Sequence, residues 1–309
     1  MRGWLPAVGA VGLIALHQGL SRREQRGCLP PGRRVEVAGV RLHLLEMAGE
    51  GPPLVLLAGS GTPAPCYDFR LLSDRLTGIR RVVVERPGYG YSGPGRGRRR
   101  VDDILEQDRA ALRQAGIFPP YVLVPHSFAG LEAILWASRY PEEVRGVAGL
   151  DPAVPEVYRN GLPGGRAALA AAGLLWAAGR LGLLRLYPAL WTGDPVWRSG
   201  GLTEAERRAL RGQTVRNSMD ADMLREAWSC LDSARLVGRS PVPAGTPMLF
   251  LLSCEEPPMT GEVKKAQRAF LARLAEGRAV ELSCGHYIQQ LAPAQAAEEI
   301  RAFWKAAAE

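Results

Sequence analysis

The chain has 309 residues, 47% of them hydrophobic, and a formal net charge of +8 at pH 7. That is enough to bury one large core, with room for an inserted subdomain. Its basic charge is spread out, and the one tight cluster, Arg96, Arg98, Arg99 and Arg100, sits in a glycine-rich loop with no aromatic or motif partner, which excludes a nucleic-acid-binding reading.

The N-terminal stretch 4–20 carries no formal charge, with Arg2 before it and Arg22, Arg23 and Arg26 after it. Its strongly apolar part, 4–16, is shorter than the ~20 residues that comfortably span a bilayer. No small-x-small cleavage site follows. The expectation is an uncleaved single anchor over residues 1–20, making a membrane one expected partner, with a buried core helix as the other reading. The excess of arginine after the stretch weakly favours a cytoplasmic body and leaves the side of the membrane open.

The globular part begins near Arg33. Residues 33–39 and 40–49 read as a strand pair turning at Gly39, with His43 half-buried in the second strand. A third strand, 53–57, ends in Ala58-Gly59-Ser60-Gly61-Thr62. A fourth, 81–84, runs into Glu85-Arg86-Pro87-Gly88-Tyr89-Gly90-Tyr91-Ser92, whose glycines permit a tight reversal. Residues 101–115 have the period of an amphipathic helix stopped by Gly116. Strands follow at 121–124 and 144–150, the latter ending in Asp151, with an Ala-rich helix at 131–140 between them. Alternating strands and helices predict an α/β fold: a mostly parallel sheet with helices on both faces.

The alternation stops between about 154 and 242. Residues 167–178 and 181–191 are nearly all apolar, Thr203 and Glu206 form a capping-box pair, and 222–236 reads as a helix. This is expected to be a helical insertion after the sixth strand, its apolar surface mostly packed as its own core. A strand then resumes at 247–252, a helix at 261–274, a last strand at 278–282 and a closing helix at 291–307.

Between strand 121–124 and its helix stands Pro125-His126-Ser127-Phe128-Ala129-Gly130. A strand that becomes a helix within two residues bends sharply, exposes the residue at the apex and needs small neighbours. Ser127 is at that apex, and the following helix aims its positive end at charge formed on the serine oxygen. The segment resembles the nucleophile elbow of the α/β-hydrolase superfamily, with Pro125 and Ala129 at the two glycine positions. Residues 85–92 resemble the superfamily's turn after the fourth strand, with Glu85 for the usual Asp. Gly285-His286 resembles its histidine loop. The resemblance covers residues 33–309, with a cap at about 154–242, and an apolar N-terminus ahead of such a domain is similar to a group of bacterial membrane-anchored members.

The resemblance implies Ser127 as nucleophile, His286 as base, and an acid just after the seventh strand. Glu256 holds that spacing, with Glu255 and Asp151 as alternatives. It also implies an oxyanion hole from the N–H groups of Phe128 and Ser60, although Ala58 stands where a bracing His is usual. The expected activity is that of a serine esterase-type hydrolase acting on a small acyl substrate, with no cofactor and no metal. An aspartate nucleophile, as dehalogenase or epoxide hydrolase chemistry of this fold needs, is absent. The alternatives are a catalytically silent binding protein of the same fold, or an acyltransferase or peptidase on the same triad.

The five cysteines, Cys28, Cys66, Cys230, Cys254 and Cys284, are odd in number and widely spaced, unlike a disulfide framework or a zinc pattern. Cys254 and Cys284 each precede a proposed triad residue by two positions. Ends of adjacent strands lie within disulfide reach, so the two are expected to be neighbours, and reduced in a cytoplasmic setting.

Overall fold

Runs of Val, Leu and Ile that are apolar on both alternating sides can only be buried on both sides, and here they form one central sheet. The structure, a computed structural model, describes residues 5–26, 29–161, 165–254 and 260–308. The strands are β1 (Arg33–Val37), β2 (Val40–Met47), β3 (Glu50–Leu57), β4 (Ile79–Glu85), β5 (Tyr121–Pro125), β6 (Val144–Leu150), β7 (Met248–Ser253) and β8 (Gly277–Leu282). Their order is β1-β2-β4-β3-β5-β6-β7-β8. Strand β2 is antiparallel to β1 and β4. The other neighbours are parallel.

Period-two alternation divides the core into two layers. Val55, Leu57, Leu123 and Phe250 face one layer. It is closed by α2 (Val101–Gln114) and α3 (Ala129–Arg139). Leu54, Leu56, Val122, Val124, Leu249 and Leu251 face the other. There Phe69 and Leu72 pack with Ile300 of the C-terminal helix Pro293–Ala308. The predicted α/β class is therefore the observed one.

The turn after β4 is held by a buried carboxylate. Glu85 accepts from the N–H groups of Tyr91 at 2.7 Å and Cys66 at 3.2 Å. It also meets His43 Nδ1 at 2.9 Å. Gly90 has φ +51°, and a Cβ there would fall 2.0 Å from the Glu85 carboxyl. His43, expected half-buried, is fully buried because its contact with Glu85 lies inside the sheet.

Between β6 and β7 the chain makes α4 (Gly165–Arg180), α5 (Glu204–Asn217) and α6 (Ala221–Arg239), with one-turn helices between α4 and α5. The predicted capping box opens α5: Thr203 Oγ1 accepts from the Glu206 N–H, and the Glu206 carboxylate accepts from the Thr203 N–H. Helix α6 is tied to the body, since Ser233 Oγ accepts from the Val101 N–H at 3.1 Å. The expectation that the apolar 167–178 stretch is core does not hold. None of the described residues of α4 is buried, and Leu174 is 73% exposed, because nothing among the described residues covers its outer side.

The N-terminal stretch is a helix, α1 (Leu5–Arg26). Among the described residues no helix is long and apolar enough to cross a membrane, so the expected anchor finds no support in them. The physical reason is length: a 13-residue apolar part rises only about 20 Å at ~1.5 Å per residue, against roughly 30 Å of hydrocarbon. Its polar end docks instead on the insertion. The Arg185 guanidinium donates to Ser21 Oγ at 2.9 Å and to Glu24 at 2.9 and 3.0 Å. Val11 and Leu16 stay exposed.

A partly exposed ion pair of this kind contributes about 1 kcal/mol or less. A chain starting at Gly32 should therefore keep its circular dichroism spectrum without detergent and melt no more than about 5 °C lower. Loss of the cooperative transition in that chain would show that α1 is integral to the core.

Candidate active site

The sheet brings three strand ends together. Strand β5 runs into α3 through Ser127, a non-glycine residue at φ +51°. The bend is fixed on both sides: the His126 N–H donates to Leu57 O of β3 at 2.9 Å, and the Ser127 N–H to Leu150 O of β6 at 3.2 Å. Gly130 lets the loop after β6 pass, since a Cβ there would lie 2.4 Å from Ala153 O.

Ser127 Oγ lies 2.9 Å from His286 Nε2. On the other side of that ring, Nδ1 lies 2.6 Å from Asp151 Oδ2. The acceptor is a carboxylate, so Nδ1 is the donor there and Nε2 is the nitrogen turned to the serine hydroxyl. Among the described residues the carboxylate at His286 is Asp151, at the end of β6, which had been an alternative. Glu256, and with it Glu255, lies outside the described residues. Asp151 sits at φ +44°, a left-handed conformation that Asp tolerates better than most residues. Its N–H donates to Leu251 O at 2.7 Å, so β7 holds the turn. Ser253 Oγ donates to Asp151 Oδ2 at 2.8 Å, and Gln267 Nε2 to Oδ1 at 3.2 Å. Burial opposes charge on Asp151, but His286, Ser253 and Gln267 outweigh it and hold its pKa below the usual value.

His126 lies beside the triad, its ring centroid 4.7 Å from that of His286. Its Nε2 meets the His286 carbonyl oxygen at 3.1 Å, so that nitrogen is a donor. Burial, with the neighbouring His286 adding to it, pushes its pKa down to about 3. It is a neutral brace for the His286 backbone.

Phe128 follows Ser127 in the chain, and Ser60 follows Gly59, whose backbone approaches the serine. Phe128 opens α3, and neither N–H is taken up by a backbone carbonyl among the described residues. Gly59 crosses directly over the elbow, since a Cβ there would lie 2.9 Å from both Ser127 Cβ and His126 Nδ1. Only glycine fits that approach.

Ser253, Gln267 and His126 support the site and were not singled out from the sequence. A strand-end Ser and a mid-helix Gln carry no local signal for such a role. Cys254 and Cys284 are neighbours, the Cys254 N–H donating to Cys284 O at 3.2 Å, and no disulfide joins them. The Cys254 thiol instead donates to Glu281 at 3.0 Å. Donor atoms of His43, Cys66 and Glu85 lie within 4.8 Å of one another, fully buried. Both ring nitrogens of His43 are already engaged, by Glu85 and the Pro31 carbonyl, so the group closes on itself as a brace.

Behind the histidine loop, Asp68 accepts from Gln289 Nε2 at 2.8 Å and Gln290 Nε2 at 2.6 Å. Burial pushes its pKa up to about 7. Burial also raises Asp108 and Asp220, each to about 6. These folded values lie above the unfolded value of ~3.9, so between pH ~4 and ~7 the folded state binds more protons. That contribution to stability is full below pH ~4 and is lost as pH rises through 6–7. Calorimetry at constant ionic strength should give a higher Tm at pH 5.5 than at pH 8, and Asp68→Asn should narrow the gap.

A profile described as the alpha/beta hydrolase family matches residues 54–300. The Bacillus subtilis protein YbdG, itself uncharacterised, is 31% identical over 221 residues, 71% of this chain and 68% of that one. A 2-hydroxymuconate semialdehyde hydrolase of a Pseudomonas species is 32% identical over 116 residues, 37% of this chain and 41% of that protein. Among solved structures, Cfl2 of Burkholderia cenocepacia superimposes with a TM-score of 0.64 at 24% identity, over 88% of this chain and 95% of that one.

Proposed function

Because the chain belongs to the alpha/beta hydrolase family, we propose that it is a serine hydrolase that cleaves an ester or related acyl substrate. The observation that carries this reading is the continuous path from Ser127 Oγ through His286 to Asp151, at 2.9 and 2.6 Å. In this reading His286 Nε2 accepts the Ser127 proton as the oxygen attacks the acyl carbon. Asp151 orients the ring and stabilises the imidazolium. The Phe128 and Ser60 N–H groups hold the oxyanion, and the α3 N-terminus adds positive potential. His286 then returns its proton to the leaving alcohol, and water, activated by the same ring, frees the acyl group. The helical insertion between β6 and β7 acts as the cap that shapes the acyl pocket. Asp151 takes the acid's role in place of Glu256, because it already fills the hydrogen-bonding position at Nδ1.

A fluorophosphonate probe and a series of p-nitrophenyl esters test this. Ser127→Ala should abolish labelling and lower kcat by roughly 10⁶-fold, and Asp151→Asn should lower it by roughly 10⁴-fold. Glu256→Gln should stay within about threefold of the parent. A silent Asp151→Asn beside a crippled Glu256→Gln would return the acid role to Glu256. Labelling that survives in Ser127→Ala would sink the nucleophile assignment.

A further inference from the structure

Side chains outside the triad converge on the loop that carries Ser60. Arg86, 3% exposed, donates from Nη2 to the Gly59 carbonyl oxygen at 3.2 Å. The same nitrogen meets Glu226 Oε1 at 3.3 Å. Tyr89 Oη donates to that Glu226 oxygen at 2.9 Å and accepts from the Gly61 N–H at 3.3 Å. The guanidinium stacks 4.6 Å from the Tyr89 ring centroid, and its Nη1 lies 3.8 Å from Glu132 of α3. Burial pulls the Arg86 pKa down, but Glu226, Tyr89 and Glu132 outweigh it and hold it above the usual value, so the group stays charged.

The Gly59 carbonyl and the Ser60 N–H are two ends of one peptide group, and that group is trans. In a trans peptide the two bonds point in opposite directions. A cationic donor gripping the carbonyl therefore sets the aim of the N–H, and polarises the group so that the N–H donates more strongly. Gly59 has no side chain of its own to anchor it. Glu226 belongs to α6 in the helical insertion, whereas Arg86 and Tyr89 belong to the turn after β4.

We infer that Arg86, Tyr89 and Glu226 are positioning residues that aim the Ser60 N–H at the oxyanion and link the helical insertion to the hydrolytic site. Movement of α6 shifts Glu226, then Arg86, then the Gly59–Ser60 peptide, so cap position and oxyanion binding are coupled. This rests on the reading of Ser127 as nucleophile with the Ser60 N–H as an oxyanion donor.

The test uses Glu226→Gln, with Tyr89→Phe and Arg86→Lys read in the same way should the first fail to fold. Phenylboronic acid, which forms a tetrahedral adduct on a nucleophilic serine oxygen, reports the oxyanion hole. In Glu226→Gln, kcat for a p-nitrophenyl ester should fall about 10- to 100-fold while KM changes less than about threefold. Phenylboronate affinity should weaken by the same factor as kcat/KM. Unchanged boronate affinity, or a rise in KM alone, would overturn the inference. The amide resonance of Ser60, recorded without ligand, should move in both Glu226→Gln and Arg86→Lys. A stationary resonance overturns the coupling by itself. A moved resonance in a protein that never labels with fluorophosphonate upholds the coupling and sinks the nucleophile reading instead.

Discussion

The site depends on one unfavourable backbone conformation being enforced from both sides. A non-glycine residue at positive φ costs on the order of 1–2 kcal/mol, and Ser127 stays at +51° because its neighbours leave no alternative. The N–H groups of His126 and Ser127 donate outward to β3 and β6, and the Ala153 N–H donates back to Ser127 O at 2.7 Å. Relaxing φ would break bonds on two strands and force Gly130 into the loop that follows β6. The central place of β5 in the sheet is what makes this possible, since only an interior strand has a ladder on each side to hold its end.

The same geometry explains where Asp151 stands. Asp151 ends β6 as Ser127 ends β5, each at positive φ, each with its N–H bonded across to the next strand, to Leu251 and Leu150 respectively. Two adjacent strand ends that turn in the same way lie close enough for one imidazole to touch both side chains. The end of β7 contributes through Ser253, whose hydroxyl binds the Asp151 carboxylate. In this chain the end of β7 orients Asp151, and β6 supplies it.

Much of this was legible in the sequence, and the failures share a physical pattern. Strands and helices of the body were readable because both faces of the interior strands are buried, which writes continuous apolar runs such as 121–124 and 247–252. Ser127 and His286 could be singled out because a tight strand-to-helix bend and a Gly-His after the last strand leave local marks. The sequence leaves the acid open among Asp151, Glu255 and Glu256, because all three follow strand ends and which of them reaches His286 depends on strand neighbours distant in sequence. The anchor reading of residues 4–20, which the described residues do not support, and the core reading of 167–178 rest on the same kind of evidence. Apolar composition says that a segment avoids water, but its partner is a tertiary fact, and here α1 docks through Ser21 and Glu24 while α4 buries none of its described residues. His43 was taken as half-buried for the same reason: its partner, Glu85, is 42 positions away.

Buried charge is the remaining term. Arg86 and Glu226 are at most 3% exposed, in surroundings where an unpaired charge costs several kcal/mol. Apolar side chains of equal volume would give comparable stability, so stability alone does not account for them. Charged groups differ from apolar ones in being intolerant of small displacements: an ångström of separation that leaves a methyl contact nearly intact leaves a buried ion exposed to its full desolvation cost. A guanidinium set between the turn after β4, α3, α6 and the Gly59 carbonyl therefore converts loose packing into a fixed register. The peptide that Arg86 holds is Gly59–Ser60, whose glycine passes directly over the Ser127 elbow.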